Sequence, residues 1–216
     1  MSDLVRIENV TKYFKKEKVL DNINLKLETG KIYGIVGKNG AGKTVLFKII
    51  AGFLKPSSGK VVVEEKQIGF DVDFPESLGL IIETPGFLSQ YNAYRNLQYL
   101  ADIKNKISKE DVKNAIRRVG LDPESNKKVG KFSLGMRQRL GIAQAIMENP
   151  KLIILDEPMN GLDKSGIEDV KNLLLEMKNQ GKTILMASHY AEDMEICDKV
   201  FEMDGGILKS KQDIYV

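Results

Sequence analysis

The residue types between positions 37 and 44 are those that hold the phosphates of a nucleotide. They read Gly-Lys-Asn-Gly-Ala-Gly-Lys-Thr and match the pattern G-x-x-x-x-G-K-[ST] at every fixed position. Glycines let backbone N–H groups close around phosphate oxygens, and a helix that starts at the end of the loop adds its partial positive charge. Lys43 is expected to reach the β- and γ-phosphates, and the Thr44 hydroxyl is expected to bind Mg²⁺. The predicted nucleotide-binding residues of this loop are Gly37, Lys38, Asn39, Gly40, Ala41, Gly42, Lys43, Thr44 and Val45.

Two carboxylates lie at the end of a strongly apolar segment, Leu-Ile-Ile-Leu-Asp-Glu, at positions 152–157. Adjacent residues at the end of a strand point in different directions, so the two acids can have different roles. Asp156 is predicted to hold Mg²⁺, and Glu157 is predicted to orient or deprotonate the attacking water. An N-K-x-D segment, which would indicate guanine specificity, does not occur in the sequence. The absence of that segment argues against a GTPase.

Length and composition exclude several other classes of protein. The chain has 216 residues and a net charge of +3, which fits one domain over residues 1–216 and gives no indication of nucleic-acid binding. One cysteine and one histidine exclude an intrachain disulfide framework and a multi-histidine metal site. No apolar run approaches the roughly 20 residues that span a bilayer, and the first residues lack the apolar core of a signal peptide. We therefore expect a soluble, cytoplasmic protein.

Three apolar segments are expected to form the sheet that positions these residues. They are 32–36, 152–155 and 183–187, and their nearly continuous apolar character is typical of parallel strands covered on both faces. Each leads into a polar or glycine-rich loop and then into a predicted helix, so the pattern indicates an α/β fold. Residues 22–27 alternate between polar and apolar and predict a half-buried strand, and Asp204-Gly205-Gly206 predicts a hairpin turn.

Apolar residues at helical spacing predict helices that face the core. One helix is expected over residues 44–50. The second follows a capping-box pattern at 108–111 and contains Val112, Ala115, Ile116 and Val119. The third contains Ile167, Val170, Leu174 and Met177 and is ended by Gly181. Cys197 is expected to be a small buried hydrophobic residue rather than a redox centre.

The segment Phe-Ser-Leu-Gly-Met-Arg-Gln-Arg at 132–139, shortly before the acidic strand, resembles the signature motif of ABC-type ATPases. Residues 160–163, Asn-Gly-Leu-Asp, resemble the D-loop of that family, and Ser188-His189 resembles its switch histidine. The resemblance extends over essentially the whole chain. It implies a P-loop NTPase core with a mainly parallel sheet, an N-terminal antiparallel β-subdomain and an α-helical subdomain inserted at approximately 86–145.

In this family ATP lies between the phosphate loop of one subunit and the signature motif of another. The resemblance therefore implies a second ATPase subunit, with a homodimer favoured over a heterodimer, and contacts from Ser133, Gly135 and Met136 to the partner's nucleotide. A serine at a helix start is independently a good N-cap, and both roles can hold together. His189 is expected to contact the γ-phosphate, although a lone histidine is more often structural. Phe14 is favoured over the adjacent Tyr13 for stacking on adenine.

Two positions depart from the commonest pattern of the family. The signature usually reads Leu-Ser-Gly-Gly-Gln, whereas residues 132–136 read Phe-Ser-Leu-Gly-Met. Glu83 stands where the family usually has a glutamine that contacts Mg²⁺ and couples to the membrane subunit, and a carboxylate is also a Mg²⁺ ligand. A solvated loop acid is the other interpretation of Glu83. The two departures together resemble the branch that exports, or gives immunity to, bacitracin and lantibiotic-type peptides.

The resemblance further implies a membrane permease as partner, docked near residues 83–104, with a helical segment expected from Pro85 to Lys104. The chain is then expected on the inner face of the cell membrane, attached through that permease. Candidate permease contacts are Phe87, Tyr91, Tyr94 and Leu97, although packing within the helical lobe is equally compatible with each. DNA-repair relatives are disfavoured, since no sustained heptads lie between Thr44 and Ser133. Translation relatives usually join two ATPase domains, and a small-molecule kinase has no use for a signature motif.

Overall fold

The strands of the protein form two sheets. In the computed structural model, which describes residues 3–83 and 86–211, ten strands follow along the chain: β1 (Asp3–Phe14), β2 (Glu17–Glu28), β3 (Ile32–Val36), β4 (Ser58–Val63), β5 (Lys66–Gln67), β6 (Leu78–Ile81), β7 (Leu152–Asp156), β8 (Thr183–Ser188), β9 (Lys199–Asp204) and β10 (Ile207–Lys211). The antiparallel sheet has the order β2-β1-β4-β5, and the other sheet has the order β10-β9-β3-β8-β7-β6. In the second sheet all neighbours are parallel except β9 and β10. The predicted fold class is confirmed.

Five α-helices are present in the described part of the chain: α1 (Lys43–Ile50), α2 (Ala93–Lys104), α3 (Lys109–Arg118), α4 (Leu134–Ile146) and α5 (Lys164–Asn179). The predicted capping box of α3 is present, since Ser108 accepts from the Asp111 N–H and the Asp111 carboxylate accepts from the Ser108 N–H. Short 3₁₀ turns occur at Val129–Lys131 and Ala191–Met194. None of the helices in residues 3–83 and 86–211 has both the length and the apolar composition needed to cross a bilayer.

The central strands separate two hydrophobic cores. Every residue of β3, β7 and β8 is buried, as their apolar sequences predicted. Successive side chains of a strand point to opposite faces, so Ile153 and Leu155 pack into the core beneath α2 to α5, while Leu152 and Ile154 pack into the core shared with α1 and the antiparallel sheet. The central strands are therefore packed on both faces of the sheet, and this packing fixes the positions at which the loops after them begin.

The expected helical segment from Pro85 to Lys104 is wrong in its first part. Thr84 and Pro85 lie outside the described residues, and α2 begins only after Asn92, whose side chain accepts from the Arg95 N–H at 2.9 Å. The buried Asn96 side chain accepts from the Leu88 N–H at 2.7 Å and donates to the Leu88 carbonyl at 3.1 Å. These bonds hold the segment before Asn92 as a loop, because they satisfy its backbone groups without a helix.

The inserted helical subdomain expected at 86–145 contains α2, α3 and all of α4 except its last residue. The last turns of α4 pack against the sheet, where a Cβ on Gly79 of β6 would lie 1.9 Å from the Ala145 carbonyl oxygen. Only glycine permits this approach. One helix thus belongs to both parts of the protein, and the boundary at residue 145 stays a prediction.

Cys197 packs against the core beneath the helices, with its sulfur 3.8 Å from the Met194 sulfur. Burial raises the pKa of the Cys197 thiol to about 12. At pH 8 the thiol is therefore protonated, and only the thiolate reacts with alkylating agents. We expect iodoacetamide to label native Cys197 at least about tenfold more slowly than the same protein in urea, as measured by mass spectrometry. Equal labelling rates in the two states would contradict the packing of the half-buried Cys197 thiol against this core.

Candidate active site

The parallel strands bring the predicted site residues to one edge of the sheet. The phosphate loop follows β3, Glu83 follows β6, Glu157 follows β7 and His189 follows β8. The register aligns these ends, since Val36 is paired with Ser188 and Asp156 with Ala187. Ligands of open α/β sheets bind outside the carboxyl ends of the strands. The site is therefore assembled by the backbone of the sheet.

Two glycines give the phosphate loop its shape. Gly42 has a φ of 110° and forms the N-cap of α1, a conformation that other residues rarely adopt. Gly37 passes so close to β9 that a Cβ would lie 2.3 Å from the Met203 carbonyl oxygen. The first turn of α1 has no acidic side chain and no side-chain cap. Its backbone N–H groups can therefore bind an anion.

Lys43 is held inside this loop. Its side chain is 5% exposed, and its ammonium donates to the Gly37 carbonyl at 2.5 Å and to the Lys38 carbonyl at 3.3 Å. The ammonium also lies 3.7 Å from the nearer carboxylate oxygen of Glu157. A buried positive charge among carbonyl oxygens, at the start of a helix, is suited to hold terminal phosphates of a nucleotide.

The residues present fit a magnesium ion. The Thr44 hydroxyl donates to the Asp156 carboxylate at 2.6 Å, which brings together two of the oxygen ligands that Mg²⁺ prefers. Burial raises the pKa of Asp156 above its usual range, the hydrogen bond from Thr44 opposes this, and the charge of Glu157 adds to it. A cation at this position would relieve the cost of the buried negative charge. This geometry is compatible with the predicted Mg²⁺ roles of Thr44 and Asp156, which stay predictions.

Glu157 has an unusual backbone conformation and a defined side-chain partner. Its φ is 52°, although it is not glycine and precedes Pro158, and residues before proline favour extended backbone. Conformations of this kind cost about 1–3 kcal/mol and occur at functional sites. The Glu157 carboxylate lies 2.9 Å from Nδ1 of His189, whose ring in turn lies against the ring of Tyr190 with centroids 3.8 Å apart. The predicted base and the predicted switch histidine are therefore in direct contact.

A cavity of about 560 Å³ opens over these residues. The predicted site residues on its wall are Phe14, Lys38, Asn39, Gly40, Ala41, Gly42, Lys43, Thr44, Val45, Glu83, Asp156 and Glu157. Tyr13 is not on this wall; it precedes Phe14 on β1, and adjacent residues of a strand point to opposite faces. Gly37 and His189 line a neighbouring cavity, together with Lys38 and Asn39. The wall also contains residues that received no role above: Val19, Leu134, Arg137, Gln138 and Asn160.

Glu83 lies on the cavity wall and forms an ion pair with Lys48 of α1. The two charged atoms are 2.6 Å apart, and the side chains of Lys48 and Glu83 are 31% and 64% exposed. Like Glu157, Glu83 has a positive φ, of 60°. Lys48 thus compensates the negative charge that a glutamate adds where the family has a neutral glutamine. Lys48 could not be predicted as a site residue from the sequence, because it is distant from Glu83 along the chain and belongs to no motif.

The signature segment contains the start of α4, and its residues Leu134, Arg137 and Gln138 lie on this cavity wall. Ser133 is the N-cap and accepts from the Met136 N–H at 3.1 Å, so its capping role is present. Gly135 lies under the D-loop, where a Cβ would meet the Gly161 carbonyl oxygen at 2.9 Å. Within this chain Ser133, Gly135 and Met136 are not among the cavity residues. Their predicted contacts to a nucleotide remain predictions.

Comparisons with known proteins identify the family. The model of the family described as ABC transporter matches residues 20–160. The uncharacterized ABC transporter ATP-binding protein YybJ of Bacillus subtilis is 44% identical, and the match covers 98% of this chain and 97% of that protein. The bacitracin transport ATP-binding protein BcrA of Enterococcus faecalis is 40% identical over 99% of this chain and 70% of BcrA. The lantibiotic transport ATP-binding protein SrtF of Streptococcus pyogenes is 34% identical over 97% of this chain and 91% of SrtF.

Among solved structures, the ATP-binding cassette MJ0796, a dimer in a post-hydrolysis state with ADP and Pi, has the same fold. The TM-score is 0.86 at 22% identity, over 97% of this chain and 100% of that chain. At this identity the likeness concerns the fold, and it agrees with the family match and with the arrangement of the phosphate loop and the acidic strand end. The chain therefore belongs to the ABC transporter family, as one of its ATP-binding ATPases.

Proposed function

We propose that this ATPase powers the export of, or immunity to, a peptide antibiotic or a similar amphiphile, through a separate membrane permease. Two observations carry the proposal: the phosphate loop and the acidic strand end line one cavity, and relatives of this chain are named for bacitracin and lantibiotic transport. Glu83 supports the same branch. The proposal assigns the energy-supplying step to this chain and leaves the passage of the peptide to the permease.

The side chains at the sheet edge have separate roles in this proposal. Lys43 and the N–H groups of the loop hold the phosphates, and Phe14 packs against the adenine. Thr44 and Asp156 would hold Mg²⁺, which neutralises charge on the phosphates when it is bound. Glu157 takes the proton of the attacking water or orients that water. His189, 2.9 Å from the carboxylate of Glu157, orients the base and faces the γ-phosphate.

A second ATPase subunit completes the site in this proposal, and a second copy of this chain is the favoured partner. Ser133 and Gly135, at the N-terminal end of α4, are not on the wall of the chain's own cavity, although Leu134 between them is. A helix start with free N–H groups is a suitable partner for a phosphate presented by another chain. The dimeric structure of MJ0796 provides a precedent for such an assembly in this fold.

The permease is proposed to dock at a groove next to residues 83–104. The groove has a volume of about 500 Å³, and Phe53 and Ile103 on its wall are 57% and 77% exposed. Exposed apolar side chains of this size are typical of an interaction surface. Of the candidate contacts, Leu97 is fully buried inside the helical part, which removes it from the docking surface. Phe87, Tyr91 and Tyr94 are half-buried and stay candidates.

Antibiotic susceptibility tests the proposed function. A strain without this chain should become more sensitive to bacitracin or to a lantibiotic, with unchanged sensitivity to an antibiotic that acts inside the cell. The wild-type chain should restore resistance, whereas Glu157→Gln should not, because it blocks the energy-supplying step. Unchanged sensitivity to all the peptides tested would contradict the peptide-antibiotic assignment.

The Glu83→Gln variant tests the predicted Mg²⁺ and permease roles of this residue. Folding and ATP binding should persist, because the side chains are nearly isosteric and an exposed ion pair is worth at most about 1 kcal/mol. The Mg²⁺ dependence of hydrolysis should shift, since one negative charge leaves the cavity wall. Peptide resistance in cells should fall further than the ATPase activity of the isolated subunit.

The Lys48→Gln variant is the matched control for Glu83→Gln. It breaks the same ion pair, whose charged atoms are 2.6 Å apart, but leaves the carboxylate in place. If both variants behave alike, the ion pair explains the effect and the metal and permease roles fail. If Glu83→Gln changes neither Mg²⁺ dependence, hydrolysis nor resistance, Glu83 is a solvated loop acid.

A further inference from the structure

Gln138 is a buried polar residue in the middle of α4. Its side chain is directed at the end of β7, where Nε2 donates to the Glu157 carbonyl at 3.0 Å and to the Pro158 carbonyl at 3.1 Å. Buried amides are costly unless they are hydrogen-bonded. The amide nitrogen of Gln138 donates to the carbonyls of both residues that follow Asp156. Packing alone does not explain why a buried amide lies at this position.

The backbone of Glu157 is held by three partners. Its N–H donates to the Ala187 carbonyl at 3.0 Å, and its carbonyl accepts from the Asn160 N–H at 3.2 Å as well as from Gln138. The first two bonds are made by backbone groups of the sheet and of a turn. In the described part of the chain, Gln138 is the only side chain that donates a hydrogen bond to the Glu157 carbonyl.

The hydrogen bond from Gln138 matters because the Glu157 backbone has an unfavourable conformation. A residue with a φ of 52° before proline does not hold that conformation by itself, so its surroundings must impose it. The direction of the carboxylate depends on that backbone. In this structure the carboxylate is aimed at His189 and at Lys43, with contacts of 2.9 Å and 3.7 Å.

Gln138 also connects two functional parts of the same chain. It lies on α4, the helix that Ser133 begins, and it lines the nucleotide cavity together with Glu157. A shift of α4 would therefore move a hydrogen-bond donor that holds the carbonyl of the base. We propose that Gln138 is a positioning residue: its hydrogen bond makes the orientation of the Glu157 side chain depend on the position of α4, the helix that begins at the signature segment. The proposal rests on the proposed role of Glu157 as the base.

The test replaces Gln138 with methionine, which has a similar length and volume but no donor. We expect kcat for ATP hydrolysis to fall about 10–100-fold, the size of effect that a misplaced catalytic group produces. The Kd for ATP should stay within about twofold, because Lys43 and the loop are untouched. Gln67→Met is the matched control and should keep wild-type kcat, because Gln67 is also half-buried but lines neither the nucleotide cavity nor the docking groove.

A double variant distinguishes positioning from a general structural role. In a Glu157→Gln background, adding Gln138→Met should leave the residual hydrolysis within about twofold, because the base on which Gln138 acts is already absent. An equal fractional loss in both backgrounds would overturn the proposal, as would wild-type kcat in Gln138→Met alone. Wild-type turnover in Glu157→Gln alone would instead remove Glu157 from its proposed role as the base, and this inference with it.

If the Gln138→Met variant does not fold, Gln138→Glu provides a second test of the proposal. The introduced carboxyl group can donate to a carbonyl only when it is protonated. The charged groups that line the same cavity are Lys38, Lys43, Glu83, Arg137, Asp156 and Glu157. The kcat of this variant, divided by that of the wild type at the same pH, should therefore rise as the pH is lowered. A ratio that is independent of pH would contradict the proposal.

Discussion

Glu157→Gln should bind ATP like the wild type and turn it over about 10²–10⁴-fold more slowly, the range for loss of a general base. The amide has nearly the same shape, so the backbone at φ 52° and the contact with His189 can persist, but it cannot accept a proton from water. Phosphate release under saturating ATP measures turnover, and calorimetric titration measures binding.

Two further variants serve as controls for Glu157→Gln, one for loss of ATP binding and one for an acid outside the site. Lys43→Ala should lose ATP binding itself, since the ammonium is the buried cation of the phosphate loop. Glu168→Gln removes an exposed carboxylate of α5 and should leave both binding and turnover unchanged. Wild-type turnover in Glu157→Gln would remove this residue from the catalytic role.

In the same Glu157→Gln background, ATP should convert monomers into dimers, and adding Ser133→Arg should abolish the conversion. Ser133 begins α4 and is proposed to face the γ-phosphate held by the partner's loop. An arginine there removes the bond to the Met136 N–H and fills the space meant for the phosphate. Light scattering after gel filtration, with and without ATP, gives the mass directly.

The control for Ser133→Arg is another capping serine. Ser108→Arg removes the N-cap of α3, which costs about 1 kcal/mol, as does the loss of the cap at Ser133. It should leave ATP-dependent dimerisation intact. A dimer that persists in Ser133→Arg would exclude this residue from the interface, and a Glu157→Gln protein that stays monomeric under saturating ATP would argue against a homodimer.

The parts of the fold that follow local patterns could be predicted from the sequence. The buried strands 32–36, 152–155 and 183–187 are marked by continuous apolar residues, and α3 is marked by its capping box. The start of α2 could not be predicted. It depends on how Asn96 bonds the backbone of a preceding loop, a choice that composition and spacing do not encode.

The residues of the candidate site also divide into those that could be predicted from the sequence and those that could not. Motif residues such as Lys43 and Asp156 could be predicted as site residues, because their chemistry requires fixed residue types at fixed spacing. Lys48 and Gln138 were missed as site residues, since they act through contacts with residues distant along the chain. Pairings of this kind arise from three-dimensional proximity alone.

The placement of Lys43 has a consequence for the kinetics of nucleotide capture. A free lysine side chain loses up to about 2 kcal/mol of conformational entropy when it is ordered. Here the ammonium is already bound to the Gly37 and Lys38 carbonyls, at 2.5 Å and 3.3 Å, so that entropy is lost during folding rather than during binding. The association rate of ATP should then depend on diffusion and on the charge of the incoming phosphates, with a marked dependence on ionic strength and no slow ordering phase.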